Sequence, residues 1–318
     1  MQIFRNLGEI PADFGPSIVT VGNFDGVHCA HRAVLAQLLK SARAQNAKAV
    51  AVTFTPHPTR VLRPEHAPLL LTPDVVKLEL LAGTGLDAVL VLPFTEQLRQ
   101  TSAEEFAQRV LVGALHAAEV HEGESFHFGY RGAGSVVSLQ ELGAKYGFGV
   151  RVFAPLLYRG APISSSRIRA CIAEGNLRDA RHLLGRSFSV RSTPAAGRGY
   201  GTRYAVPTIN LAPYAEMLPA HGVYVSKCRI GDETFQSVTN VGNRPTFGAD
   251  SFAVESHILD FHPLALQENT PLELTFFKRL RGEQKFASLE LLKAQILQDV
   301  VKAQRYLHLR AVIEHARS

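Results

Sequence analysis

Between residues 17 and 155 the chain alternates short apolar runs with stretches in which apolar positions recur every three or four residues. The runs SIVTVG (17–22), AVAVTF (49–54), DAVLVLPF (87–94), AAEVHEG (117–123) and VRVFAP (150–155) read as strands. Between the first two, Val34, Leu35, Leu38, Leu39 and Ala42 share one face of a helix near residues 30–44. Further helical patterns fall at 73–82, 103–115 and 135–147. Strands that are apolar throughout are buried on both faces. Their alternation with helices predicts a doubly wound α/β fold around a parallel sheet.

Past about residue 186 the period changes. Two extended runs within 221–242 flank a Gly-Asp turn as a hairpin does, and FAVESHILDF (252–261) and LELTFFKRL (272–280) continue as strands. From 288 to about 315 helical spacing returns, with Leu291, Leu292, Ile296, Val300 and Val301 apolar. This half predicts an antiparallel β-barrel closed by a long helix. The change falls in LGRSF (184–188), so two domains are expected, 1–185 and 187–318.

Composition narrows the class. An apolar fraction of 46% against 19% charged residues is enough for a core in each half. The formal charge of +6 suits anionic ligands such as nucleotides, but no Lys/Arg tract concentrates it, which argues against nucleic acid. Cys29, Cys171 and Cys228 form neither a CxxC pair nor a disulfide framework, a pattern of reducing, cytoplasmic surroundings. MQIFRNLGEIP lacks the apolar core of a signal peptide, and no run nears the length of a membrane span.

Two stretches of the first half carry phosphate chemistry. GNFDGVHCAH (22–31) stands where the first strand gives way to the first helix, the end of an α/β sheet at which ligands bind. Gly22 and Gly26 let the backbone approach a ligand, and His28 and His31 project from the helix start. Two imidazoles beside an α-phosphate can donate hydrogen bonds to oxygens that gain charge in the transition state. No GxxxxGK[ST] occurs, which excludes a P-loop. ISSSRIR (163–169) sets three serines ahead of Arg167 and Arg169. Serines cap a helix, and an arginine can grip a pyrophosphate leaving group in bidentate fashion. Either stretch alone is commonest as a capped surface helix; both together, in this order, favour chemistry.

These two motifs resemble the nucleotidylyltransferase superfamily, which shares His-x-x-His with class I aminoacyl-tRNA synthetases. With TFTPHPTRVL (53–62) and ESFHFGYRGAGSV (124–136) in order, about the first 185 residues resemble the adenylyltransferase module of the prokaryotic bifunctional riboflavin kinase/FAD synthetase family. The resemblance implies transfer of AMP from ATP to the phosphate of FMN, giving FAD and pyrophosphate. It implies catalytic roles for His28, His31 and Arg169 and ATP contacts from Gly22, Asn23, Phe24, Asp25, Gly26, Ser164, Ser165, Ser166 and Arg167. Flavin contacts are implied for His57, Pro58, Ser125 and Phe128. The chain departs from the family with Ala30 for Gly, Ser166 for Thr, Ser125 for Asp and His127 for Arg; the last two remove a charged pair from the flavin-side loop.

In the second half GRGYGTRYAVPTINL (197–211) is glycine-rich and then extended, and Pro207 confines it to an edge or an irregular segment. Thr208 and Asn210, two apart, share a face of an extended chain and offer oxygen donors suited to Mg²⁺. With TNVGNRPTFG (239–248), AVESHILDF (253–261) and KRLRGEQKFASLELLKAQILQD (278–299), residues 187–318 resemble the riboflavin kinase module. That resemblance implies Mg²⁺ and ATP phosphate at Thr208 and Asn210, ATP contacts from Gly199 and Gly201, flavin contacts from Arg281 and Glu283, and Glu255 as base. The flanks of Glu255 predict a largely buried strand, with Asp260 on its opposite face. Ala-Val-Pro-Thr-Ile-Asn replaces the family's Gly-Phe-Pro-Thr-Ala-Asn.

The reading is a cytoplasmic enzyme, a monomer or weak homo-oligomer, that makes FMN from riboflavin and ATP and then FAD from FMN and ATP. Nucleic acid and membranes are not expected as partners. Three rivals compete with it. In the nearest, a riboflavin kinase keeps a degenerate adenylyltransferase module as scaffold, for which Ser125 and His127 speak. In another, the chain is a flavin-responsive binding protein, which would have no need of a base at Glu255. An RNA-binding relative of the synthetases lacks its basic patch here.

Overall fold

The apolar runs of the first half become neighbouring strands in the computed structural model, which describes residues 1–195, 208–243, 252–262 and 266–316. The strands are β1 (Gln2–Phe4), β2 (Ser17–Val21), β3 (Lys48–Thr55), β4 (Ala88–Pro93), β5 (Ala117–Gly123) and, after the short β6 (His127–Phe128) and β7 (Gly134–Ser135), β8 (Gly149–Phe153). A further small pair, β9 (Leu157–Tyr158) and β10 (Ala161–Pro162), follows. The main sheet is parallel, in the order β1-β4-β3-β2-β5-β8. Edge strand β1 is absent from the sequence reading because its three residues are too few to show a period.

Along β2 and β3 successive side chains enter opposite cores, as period two demands. Val19, Val21, Val50 and Val52 pack with Phe106, Leu111 and Leu139 on one face. Ile18, Ala49 and Ala51 pack on the other against Leu35 and Leu38 of the helix Cys29–Ala44 and against Leu81. The helix expected at 103–115 is α-helical only over Ala103–Phe106 and then widens to a π-helix over Ala107–Ala114. There Leu115 N–H reaches back to the Val110 carbonyl at 3.0 Å, five residues away.

Glu119 of β5 is the polar knot of this unit. Its carboxylate accepts hydrogen bonds from Ser41 (2.7 Å), Gln45 (3.1 Å) and Arg151 (2.5 Å). Burial alone would raise its pKa, but the bonds from Ser41, His121 and Arg151 outweigh it and hold the group at about 2. A carboxylate depressed in the fold stabilises above its unfolded value and loses that stabilisation as pH falls toward the folded one. Stability contributed by Glu119 is therefore expected to drain away between pH 4.5 and about 2. The full effect is on the order of 3 kcal/mol. Urea melts of Glu119→Gln against the parent at pH 7 and pH 3 check this: the gap should be large at pH 7 and narrow sharply at pH 3.

In the second half the strands β11 (Phe188–Ser192), β12 (Thr208–Asn210), β13 (Gly222–Ile230), β14 (Glu233–Asn243), β15 (Phe252–Ile258) and β16 (Leu272–Arg281) pair in the order β11-β16-β13-β14-β15-β12, all antiparallel. The two edges then meet. Where β11 and β12 end, Ala195 N–H donates to the Asn210 carbonyl and Ala212 N–H to that of Thr193, both at 2.9 Å. Inside, the buried hydroxyls of Ser226, Ser237, Thr239 and Ser256 bond one another at 2.7–2.9 Å across β13, β14 and β15, so each of these four has a partner. Outside, Ala303 and Leu307 of the C-terminal helix Leu289–His315 pack on Val223, Val225 and Val238. The Arg281–Asp299 ion pair, 2.9 Å and nearly buried, ties that helix to β16.

By contacts the chain divides into Met1–Ser165 and Ser166–Ser318, earlier than the change of period at 184–188. The helix Leu177–Leu184 packs on β11 and β16, and the Ile172 carbonyl of the helix Ser165–Ala173 accepts from Ala220 N–H at 3.1 Å. These helices therefore count with the antiparallel half.

Candidate active sites

β2 ends at Val21, and the chain crosses residues 22–28 before the helix begins at Cys29. Phe24 (φ 49°) and Val27 (φ 36°) join Gly26 (φ 85°) in the left-handed region, which a β-branched residue occupies only under constraint. Asp25 supplies the constraint. Its buried carboxylate accepts from Leu71 N–H (3.1 Å), Thr72 N–H (3.0 Å) and the Thr72 hydroxyl (3.4 Å), while Gly26 N–H donates to Thr72 Oγ1 at 3.0 Å. Thr53 Oγ1 donates to the Asn23 carbonyl at 3.2 Å. Gly22 has the Phe24 ring 3.3 Å from where a Cβ would stand.

This frame aims the histidines. His28 is the N-cap, its Nδ1 accepting from His31 N–H at 3.3 Å. An accepting Nδ1 carries no proton, so the neutral ring holds its hydrogen on Nε2. The two imidazoles stack with centroids 3.6 Å apart and planes 13° from parallel, and Phe24 meets His31 edge-on at 5.1 Å. Burial first, and then the coupling to a second titratable imidazole at His28, which disfavours a proton on both rings, push the His31 pKa well below the usual imidazole value, so His31 is neutral at physiological pH. Neutral imidazoles at a helix start are donors for an anionic phosphate without being a permanent counter-charge.

The serine motif meets the same loop. Ser165 Oγ donates to the Asp25 carbonyl at 2.9 Å, and Ser165 opens the helix that carries Ser166, Arg167 and Arg169; Ser164 directly precedes it. On the expected flavin side, His57 caps the helix Pro58–Leu62 by accepting from Thr59 N–H at 3.3 Å, with Pro58 as its first residue. Ser125 and His127 are exposed, the Ser125 carbonyl lying 3.0 Å from His127 Nδ1. Phe128 is a core residue, stacked on Phe126 at 5.3 Å and edge-on to Phe106.

In the second unit the ladder assembles the other group. β12 pairs with β15 through Thr208↔His257 and Asn210↔Glu255, and β14 sets Asn240 opposite Glu255 on its other side. Paired residues share a face, so Thr208, Asn210, Asn240, Glu255 and His257 form one polar patch. Val238, the ladder partner of His257, lies on this face and packs under the C-terminal helix. Glu255 is half-buried, because Val254, Ser256 and Ile258 take the interior positions. The largely buried strand expected around Glu255 is buried at alternate positions, and Glu255 takes one of the half-buried ones. Asp260 does not share the strand at all; β15 ends at Ile258, and Asp260 is exposed in a turn with φ 52°.

Sequence reading missed His257, whose Nδ1 lies 3.5 Å from Thr208 Oγ1 and whose burial lowers its pKa, and Asn240. The period-two pattern of 253–258, read for side-chain facing, reaches His257; Asn240 needed the strand pairing. Arg281 is engaged with Asp299 and sits over the Phe286 ring at 5.7 Å. The Glu283 carboxylate covers Gly242, so close that a Cβ there would fall 1.9 Å from it, and lies 3.4 Å from His221 Nδ1. Gly199 and Gly201 lie outside the described residues. Among the described residues no cluster of three or more His, Cys, Asp or Glu is arranged for a metal, and no helix is long and apolar enough to cross a membrane.

A parallel sheet with paired histidines at its crevice, followed by an antiparallel sheet with a Thr-Asn-Glu patch, defines a two-part phosphate-handling transferase. Residues 10–167 match the FAD synthetase family and residues 184–307 the riboflavin kinase family. The chain belongs to the family of bifunctional riboflavin kinase/FMN adenylyltransferases. It is 35% identical to such a protein from Pseudomonas fluorescens over 95% of this chain and 97% of the relative. To the one from Escherichia coli K12 it is 33% identical over 97% and 99%. A crystal structure described as a macrolide-efflux protein from Streptococcus pneumoniae shares the fold, with a TM-score of 0.85, 26% identity, and coverage of 95% of this chain and 98% of its own.

Proposed function

We propose that the enzyme makes FMN at the Thr208–Asn210–Glu255 patch and FAD at the loop of His28 and His31, with functional modules at 1–185 and 187–318. The observation that carries the reading is the ladder pair Asn210↔Glu255, which joins the motif for ATP phosphate and the base on one face. At this patch Glu255 takes the proton of the riboflavin ribityl hydroxyl as its oxygen attacks the γ-phosphorus of ATP. The bond to ADP breaks, and FMN results. Thr208 and Asn210 offer neutral hard oxygens and fit Mg²⁺, which supplies charge neutralisation on the phosphates when bound. At the first site an oxygen of the FMN phosphate attacks the α-phosphorus of ATP, and pyrophosphate leaves. His28 and His31 donate to the oxygens that gain charge, and Arg169, with Arg167 and the three serines, holds the leaving group. Asp25 serves this site as the clamp of its loop. ATP, riboflavin, FMN and FAD are the partners, in a cytoplasmic monomer or weak homo-oligomer that binds neither nucleic acid nor membrane.

Incubation of the full chain with riboflavin, ATP and Mg²⁺, with flavins separated over time, tests this. FMN should rise first and FAD follow; FMN accumulating with no FAD would favour the single-activity kinase. A fragment of residues 187–318 is expected to phosphorylate riboflavin and form no FAD. Because the helices of 165–184 pack on its sheet, a fragment beginning at Ser166 should melt higher than one beginning at residue 187. Calorimetry of the two fragments decides it; equal melting would place those helices with the first module.

A further inference from the structure

β2 and β5 part company at their carboxyl ends. Their last ladder pair is Val19↔Val120, whereas β2 stays paired with β3 to Val21↔Val52 and β5 with β8 to Gly123↔Phe153. This is the switch point of the sheet, where β3 lies to one side of β2 and β5 to the other, and such a parting opens the ligand crevice. Glu122 fills it. Its side chain, 4% exposed, accepts a hydrogen bond from Val21 N–H at 2.6 Å and bonds the Thr20 hydroxyl. Among the described residues it makes no ion pair. A buried carboxyl without a cation needs another reason to be there.

We propose that Glu122 is a positioning residue for FMN adenylylation: by capping Val21 N–H where the ladder stops, it fixes the end of β2 and so the departure of the loop that carries His28 and His31. Val21 is followed at once by Gly22 and the left-handed turn of Phe24, Gly26 and Val27, and that turn is secured from the other side by Asp25. The loop is therefore held by two acidic side chains, Glu122 at the end of β2 and Asp25 within the turn, and only Asp25 lies in the recognisable motif. Burial pushes the Glu122 carboxyl well above the usual carboxylate range against the smaller pull of Val21 and Thr20, which favours the protonated form, with one donor and one acceptor.

A glutamine has the same pair of functions, and valine has the bulk with neither. In the full-length enzyme, Glu122→Val is expected to lower kcat for FAD formation from supplied FMN by roughly ten- to a hundredfold, the cost of a slightly misplaced catalytic group. The KM values for ATP and FMN should be nearly unchanged, and riboflavin phosphorylation should hold at the parental rate. Glu122→Gln should retain most of the kcat. Should Glu122→Val fail to fold, Glu122→Asp replaces it, since one methylene fewer withdraws the carboxyl from Val21, and it should fall in the same direction. A parental kcat in Glu122→Val or Glu122→Asp overturns the proposal, as does Glu122→Gln falling as far as the valine variant. The idea rests on placing adenylylation at His28 and His31. If His28→Ala kept full FAD synthesis that placement would fail; parental activity in Glu122→Val with loss in His28→Ala would sink the positioning role alone.

Discussion

FAD formation by a His28→Ala enzyme is expected to fall at least about a hundredfold, the usual loss when a donor to developing charge is removed. The same preparation should phosphorylate riboflavin at the parental rate. His28 has two jobs that the substitution would confound, since it caps the helix Cys29–Ala44 and is also the proposed donor to the α-phosphate. Losing a cap typically costs about 0.5–2 kcal/mol. His28→Asn separates them, because asparagine is a good cap and has no imidazole. Both variants should lose FAD synthesis, but only the alanine should melt markedly lower. Arg169→Ala should show the same hundredfold selectivity. FAD synthesis at full rate in both the His28 and Arg169 variants, measured by separating the flavins with FMN supplied, would remove the site.

Glu255→Gln should lower FMN production by a factor of about 10² to 10⁴, the range a general base contributes. The amide keeps the size of the side chain and can still bond a hydroxyl between Asn210 and Asn240, so riboflavin affinity should change little. It cannot take the proton. Adenylylation of supplied FMN should be untouched. Asp260→Asn is the control, and a clean one, since Asp260 lies in the turn beyond β15. Steady-state phosphorylation by the two variants side by side gives the answer; loss in Asp260→Asn with activity kept in Glu255→Gln transfers the base to the turn.

Residues that fold by local rules were legible. The runs that became β2, β3 and β4 are apolar on both faces and so announce a two-sided sheet, β5 and β8 follow them at the same strand–helix spacing, and the Gly-Asp turn at 231–232 announces β13 and β14. What stayed hidden depends on partners far along the chain. Asp25 reads as a phosphate-loop residue until Leu71 and Thr72, 46 and 47 positions on, appear at its carboxylate. Phe128 sits in a motif that suggests a ligand, and its packing with Phe106 and Phe126 could not be read there. Glu255 has apolar neighbours in sequence, but alternation sends them inward and leaves Glu255 on the outer face. The helices of 165–184 look like the tail of one half and pack with the other, a matter of tertiary contacts that no period encodes.

The seam of the antiparallel ring runs through Asn210. Its carbonyl is taken by Ala195 from one edge while β12 places its side chain beside Glu255 on the other. The last stitch of the cylinder is thus also a corner of the proposed kinase centre. Closing it joins chain segments on either side of 196–207, and β12 must in turn find β15 some 45 residues later. Such distant pairings come late as a chain orders itself. During refolding, phosphorylation of riboflavin should therefore lag the appearance of strand structure, and catalytic competence becomes a chemical report that the ring is shut.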